Sequence, residues 1–418
     1  MDPSVSSDAR SRHPVASSGC IIRFAGLAVH TDGMFLALAE MRRAKVRFGL
    51  LIAAIALLVF LILFQQSLQN GLLTSFVGGI RNQDAPVLVY SVDGQRTVQG
   101  SVITPDLEAL VRDTGEVGEV GRWSQGTFTV VTGGGTGITG DGGPGEDAVD
   151  ASIIGFDTEG LGTPSDVVDG RLPTAAGEAV ASDADADAGF AVGDVVRVLP
   201  GGFEIEIVGL ARDVQLNASP TMYVPYDTYL DVIAAVNPDA GTPLPSVLTV
   251  RPADGVSDAE VSTAINDRSL ELDALPRDTA ADETPGVAQV RQSFQIIFLL
   301  YALVIPCVTG LFFLIVTFQK AGALTLLRAI GAPANRLVSA LMIQAALIVM
   351  AGFALGTLLY LPVSQQRLGG IPLRFETAAV VFWAVALIVL GLGSALISAR
   401  RVLAIDPVEA TTGAGVGR

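Results

Sequence analysis

The 418-residue sequence contains two histidines, two cysteines and two lysines, and each scarcity removes a class of function. His13 and His30 both lie before residue 34, away from every apolar segment and from the acidic region that follows. A serine nucleophile served by a histidine base is therefore excluded, and no Cys/His spacing suits a metal. Cys20 and Cys307 stand far apart in unlike surroundings, so there is no disulfide framework. "SSGC" at Cys20 lacks the apolar segment that a lipidation signal needs before it. Cys307 reads as a small packing residue within an apolar helix. The lysines, Lys45 in "AKV" and Lys320 in "QKA", follow no phosphate-binding loop, so the chain has no Gly-Lys-Ser/Thr nucleotide site. ATP-driven work needs a motor on another subunit.

Charge is scarce as well, at 16% of residues against 50% hydrophobic, and it is unevenly placed. Residues 67–290 hold 35 acidic residues and 10 arginines, a net of −25, whereas the remainder holds 7 acidic and 16 basic, a net of +9. Such a chain is an acidic water-soluble domain joined to apolar segments with basic flanks. The acidic domain excludes nucleic acid as a partner, because phosphates are repelled.

Four apolar runs reach the length that crosses a membrane, about 20 residues. They are Phe48–Phe64, Ile296–Phe318 (with Pro306 and Gly310 as a kink), Leu337–Leu361 and Thr377–Ile397. Arg42, Arg43, Lys45 and Arg47 precede the first run, Lys320, Arg328 and Arg336 separate the second and third, and Arg400 and Arg401 follow the fourth. Four spans put these nine cations on one side, the cytoplasmic side, against Arg367 and Arg374 on the other. The expected fold is a membrane protein of four transmembrane α-helices with a large α+β extracytoplasmic domain inserted between helices 1 and 2.

The divisions are a disordered tail or start-site artefact at 1–33, a cytoplasmic amphipathic helix at 34–47 beginning at Met34, and the first span at 48–66. The outside domain with its stalks follows at 67–290, then the second span at 292–318 and a cytoplasmic helix at 319–336. The third span, 337–361, an outside loop, 362–376, the fourth span, 377–398, and a cytoplasmic tail, 399–418, complete the chain.

Within the outside domain "APVLVYSV", "GTFTVVT", "ASIIGFD", "GEAVAS", "VVRVLP", "FEIEIVGLA" and "PLPSVLTVRP" read as strands. Thr104 caps a helix, and Ser257 with Glu260 forms a capping box on another. Gly135, Gly137 and Gly140 spell a dinucleotide fingerprint, but "DGGPGED" follows where a helix must start, so the segment reads as a hairpin loop. "DADADAG" from Asp183 lacks the rest of a calcium loop and reads as a solvated acidic turn. Acidic pairs are plentiful, and none is singled out as a general acid and base.

The stretch "KAGALTLLRAIGAPANRL", Lys320–Leu337, lies between the second and third runs. Leu324, Leu327 and Ile330 recur at helical spacing with Arg328 on another face, Gly331 ends the helix and Pro333 prevents its continuation. A short amphipathic helix at the cytoplasmic face follows. It either ties the loop to the headgroups or docks into another protein and passes force to the adjacent spans.

"LTLLRAIGAPANRL" resembles the coupling-helix signature of the FtsX/MacB-type (type VII) ABC transporter permease family. "MFLALAEMRRAKVRF" resembles the family's N-terminal amphipathic helix, and "VVDGRLPTAAGEAVAS" and "FAVGDVVRV" with "FEIEIVGLARD" resemble its MacB-like outside domain. "RVLAIDPVEA" resembles the motif after the last span, so the likeness runs from Met34 to Ala410. It implies a non-catalytic subunit without cofactors of its own, working as a homodimer in membrane lipid with a cytoplasmic ABC ATPase. It further implies ATPase-coupling roles for Leu324, Leu327, Arg328, Ile330, Gly331 and Pro333. The chain departs from the family at Ala323, where an acidic residue is common, and at Gln344, where a glutamate is common. Gln344 keeps a hydrogen-bonding role across helices, and Gly352 and Gly356 form a small-xxx-small packing pair.

The implied function is export or extraction of a hydrophobic or amphipathic compound, such as an antimicrobial peptide, a lipid-like molecule or haem, by mechanotransmission. The alternative is a signalling scaffold that activates an extracytoplasmic cell-wall hydrolase. Haem enters because "MFLALAE" and "KVRF" also resemble haem-exporter permeases, but no histidine is placed to bind it. No pattern selects Met222, Tyr223 or Met342 in its place.

Overall fold

The computed structural model describes residues 45–133, 148–319, 333–368, 371–373 and 375–403, with residues 322, 326 and 330. Residues 1–33, the amphipathic helix before residue 45, Gly135, Gly137, Gly140 and the end of the "RVLAIDPVEA" motif lie outside the described residues.

Among the described residues four helices are long and apolar enough to cross a membrane. They are α1 (Lys45–Arg81), α6 (Val287–Gln319), α7 (Ala334–Tyr360) and α8 (Thr377–Leu403). With them stands a mixed α/β domain inserted between the first and the second, the expected fold class. The chain divides into two compact units. One comprises Met1–Leu61, Leu300–Leu359 and Ala378–Arg418, and the other Ile62–Leu299 and Tyr360–Thr377. At 37 residues, α1 is about 55 Å long, well beyond the ~30 Å hydrocarbon layer that its apolar half requires.

The inserted domain is built on β1 (Val87–Ser91), β2 (Val117–Val131), β3 (Ala148–Phe156), β4 (Val167–Gly170), β5 (Glu178–Ser182), β6 (Val195–Val198), β7 (Phe203–Ala211), β8 (Thr221–Pro225), β9 (Val247–Pro252) and β10 (Leu272–Pro276). Their order is β10-β1-β9-β2-β3-β8-β5-β7-β4, and β6 pairs with both β2 and β7. The six strands β2, β3, β8, β5, β7 and β6 thus close into a ring. Closure removes free edges and encloses a core of side chains. On β7 the alternation is plain: Ile205 and Ile207 are buried in the ring, while Glu204 and Glu206 are exposed.

Beside the ring, β10, β1 and β9 are covered by α2 (Pro105–Arg112) and α4 (Asp258–Arg268), whose Leu107, Val111, Val261 and Ile265 pack against Val87, Val89 and Val250. Thr104 accepts from the Leu107 N–H at the start of α2, and Ser257 and Glu260 complete the capping box of α4. The helix α3 (Tyr226–Val236) lies on β3 at Gly155, where a Cβ would stand 2.6 Å from that of Tyr229. A third core gathers Val77 and Ile80 of α1, Trp123, Tyr223, Val287 of α6, and Ala280 and Ala281 of α5 (Arg277–Glu283).

Two expectations are corrected. "GTFTVVT" is the end of a 15-residue strand, in which Gly121 pairs with Thr249 of β9 and Gly126 with Ile153 of β3. "DADADA" is a 3-10 helix rather than a solvated turn: Asp185 is 5% exposed, and its carboxylate accepts from Gln215 Nε2 (2.6 Å) and the Thr221 N–H (3.3 Å).

Candidate functional site

The candidate site is the connector between α6 and α7 and the packing of the spans it joins. Beyond Gln319, Gly322 and Leu326 are helical, and the Ile330 N–H donates to the Leu326 carbonyl at 3.1 Å. Leu326 and Ile330 are 64% and 77% exposed, and Pro333 is exposed just before α7 begins. Leu324, Leu327, Arg328 and Gly331 lie outside the described residues. Leu326 was not singled out in the sequence; the signal was its place four residues before Ile330, on one helical face. At the two ends of the spans, Arg47 Nη1 of α1 donates to Gln319 Oε1 of α6 at 2.5 Å.

The structure brings Gly352 and Gly356 against α1. A Cβ on Gly352 would lie 2.6 Å from Ile55 Cγ2, and one on Gly356 would lie 2.5 Å from the Ala56 carbonyl oxygen. In lipid, close backbone approach of this kind supplies the dispersion contacts that hold helices together. Gln344 is 3% exposed, and its amide nitrogen has no hydrogen-bond partner, so the expected cross-helix bond is not made by that atom. The hydroxyls gather instead at Pro306, where α6 lacks a backbone donor. Ser394 Oγ of α8 donates to the Pro306 carbonyl at 3.0 Å, and Thr309 Oγ1 donates to the Ile305 carbonyl at 2.7 Å. Sequence reasoning passed over Thr309 and Ser394; their signal was a hydroxyl inside an otherwise apolar span. Cys307 is exposed on α6 rather than packed inside the protein.

In the inserted domain Met222 and Tyr223 are wholly buried on β8 and closed to any ligand, while Met342 is partly buried on α7. Tyr223 donates its hydroxyl to the Gly79 carbonyl at 2.8 Å, and burial pushes its ionisation upward. Burial likewise pushes Tyr229 up to about 12. Asp282 is held below the usual carboxylate range by hydrogen bonding to Arg291 and by Arg81. Among the described residues no group of His, Cys, Asp and Glu could hold a metal ion.

No family model matches the chain. Over 106 residues it is 28% identical to the hemin transport system permease protein HrtB of Staphylococcus epidermidis and 32% identical to that of Staphylococcus haemolyticus. Each match covers 25% of this chain, and the chain spans 30% of the length of these curated relatives. Among solved structures it is similar to the periplasmic region of MacB from Actinobacillus actinomycetemcomitans, with a TM-score of 0.33 and 16% identity over 49% of this chain and 92% of that one. The extracellular domain of the ABC-type transporter YknZ from Gram-positive bacteria gives 0.30 and 17% over 45% and 98%. Over that quarter of its length the chain is similar to permease proteins. Its four long apolar helices make it a multi-pass membrane protein, and the relatives' match is confined to a quarter of its length.

Proposed function

We propose that the chain is the permease subunit of an ABC transporter. A separate cytoplasmic ATPase docks on the connector between α6 and α7, and its stroke drives export or extraction of a hydrophobic or amphipathic compound. The observation that carries this reading is the length of two helices. α1 and α6, of 37 and 33 residues, each exceed a membrane span, and each contributes to one core of the inserted domain through Val77, Ile80 and Val287. A helix that is continuous from an apolar span into a packed core transmits displacement rather than forming a pore. The exposed Leu326 and Ile330 give a partner protein an apolar face to grip. Two copies work together, both termini are cytoplasmic, ATP is bound by the partner, and the inserted domain is extracytoplasmic. Haem is a candidate for the transported compound, by likeness to the hemin transport permease proteins.

The test is co-expression with the ATPase encoded beside it and purification through a tag on this chain. Retention of the ATPase at equal stoichiometry is expected. Its absence would make the chain an anchored receptor, and stimulation by a cell-wall hydrolase but by no amphipath would make it a signalling scaffold.

A further inference from the structure

The inserted domain holds α1 and α6 by contacts of different strength. On α1 the attachment is made largely of backbone, with Ser75, Gly79 and Gln215 buried and Asn217 and Ala218 at its exposed rim. The Asn217 N–H donates to the Phe76 carbonyl (3.0 Å), the Ala218 N–H to the Ser75 carbonyl (2.8 Å), and the Gly79 N–H to the Gln215 carbonyl (2.8 Å). Ser75 Oγ donates to Gln215 Oε1 at 2.8 Å, and Gln215 passes on to the buried Asp185. Asp213, Asn217 and Ala218 all sit at φ +55°, a conformation that non-glycine residues hold only where surroundings enforce it. A Cβ at Gly78 would run into the Asp213 carbonyl.

On α6 the attachment is one buried side chain, Val287 in the shared core, and an exposed ion pair. The helix begins just after Pro285 and Gly286, and Gly286 has φ +93°, with the Phe76 ring of α1 3.8 Å from where a Cβ would stand. Beyond that joint, Arg291 Nη2 reaches Asp282 Oδ1 at 2.7 Å, and Arg81 of α1 grips the same oxygen. All three side chains are partly exposed. Asp282 lies on α5, which is itself fixed to the domain. Arg96 bridges Asp273 and Glu283, and Arg277 Nη1 donates to the Gln83 carbonyl at 2.7 Å. One carboxylate therefore pairs with two guanidiniums from different long helices, a cluster of net charge +1. Exposed ion pairs are weak and reversible, whereas buried backbone bonds are costly to break.

We propose that Pro285–Gly286 is a hinge and Asp282 its latch: α6 swings when Arg291 leaves Asp282, while α1 stays fixed in the domain. This rests on the permease reading, in which the swing is the working stroke. Once Arg291 is free, the remaining Arg81–Asp282 pair is neutral and nothing repels its return, which makes the device reversible.

The test uses the full chain in lipid nanodiscs with Cys20 and Cys307 replaced by serine. Spin labels are placed at two exposed positions, Asp254 on the domain and Ser293 on α6, with labelled chain diluted in unlabelled chain. Without any ATPase, the wild type is expected to show one narrow distance. Asp282→Asn and Arg291→Gln are expected to add a second population, and Arg291→Lys to restore the single one. With the ATPase bound and ATP present, the wild type is expected to gain that same second population. If both variants keep the wild-type distance, there is no latch. If they open but ATP never opens the wild type, Asp282 is a fixed brace and the proposal fails, even where the chain binds its ATPase and the permease reading stands. If no ATPase binds, the permease reading falls first, and the latch loses its working role with it.

Discussion

Gly356 of α7 lies against Ala56 of α1 so closely that a Cβ on the glycine would stand 2.5 Å from the alanine carbonyl oxygen. The obstacle is backbone, which cannot rotate away. One turn earlier, a Cβ on Gly352 would stand 2.6 Å from the Ile55 side chain. The two glycines fix the separation of the first and third spans.

Gly356→Leu is accordingly expected to force these helices apart and to cost about 1–3 kcal/mol, the usual penalty of overpacking. Thermal unfolding in detergent reads this directly. Gly393, whose Cβ would meet nothing within 4 Å, is the control: Gly393→Leu is expected to leave the midpoint unchanged.

Asp185→Ala removes the acceptor of Gln215 Nε2 and of the Thr221 N–H, leaving two buried donors. A loss of about 3 kcal/mol is expected. Asp187→Ala, at an exposed position of the same 3-10 helix, is expected to cost less than Asp185→Ala. Added calcium is expected to stabilise neither, since the run serves packing and not metal. Equal losses at the two positions would contradict the assignment.

Glu178 accepts from Arg171 and from the Thr174 and Ala175 N–H groups, which hold its carboxyl at about 2. The unfolded carboxyl titrates near ~4.3. A depressed folded value means that the stabilisation is complete above the unfolded value and is lost as pH falls through the folded one. Glu178→Gln is therefore expected to be less stable than wild type at pH 7, by a gap that closes between roughly pH 4 and pH 2. A gap that stays constant to pH 2 would contradict this. Melting curves at stepped pH supply the measurement.

Ser394→Ala deletes a bond to the Pro306 carbonyl inside the spans. Hydrogen bonds between membrane helices average about 0.6 kcal/mol, so a small loss is expected, smaller than that of Gly356→Leu. A larger effect would mean that the hydroxyls at Pro306, rather than the glycines, organise the bundle.

The spans were legible because lipid leaves a spanning helix no choice: its backbone must be satisfied internally over about 20 apolar residues. Thr104 and the Ser257–Glu260 box were legible because a cap and its partner are three residues apart. What escaped was set by distance along the chain. Asp185 looked solvated because Gln215, which buries it, lies 30 residues on. Arg81 and Asp282 are 201 residues apart, and nothing local marks either as a partner. The length of β2 escaped because Gly118, Gly121 and Gly126 weaken a strand by propensity, and only its neighbours β9 and β3 restore it.

The central claim, that Lys320–Leu337 docks a motor, is tested most directly by ATP hydrolysis. The chain and its ATPase are reconstituted together in lipid and compared with Leu327→Asp combined with Arg328→Glu, after equal folding has been checked by melting. The account requires the complex to hydrolyse ATP and the double change to dissociate or uncouple it. Hydrolysis by the variant at the wild-type rate, with the ATPase still bound, would contradict it and leave the stretch an interfacial connector.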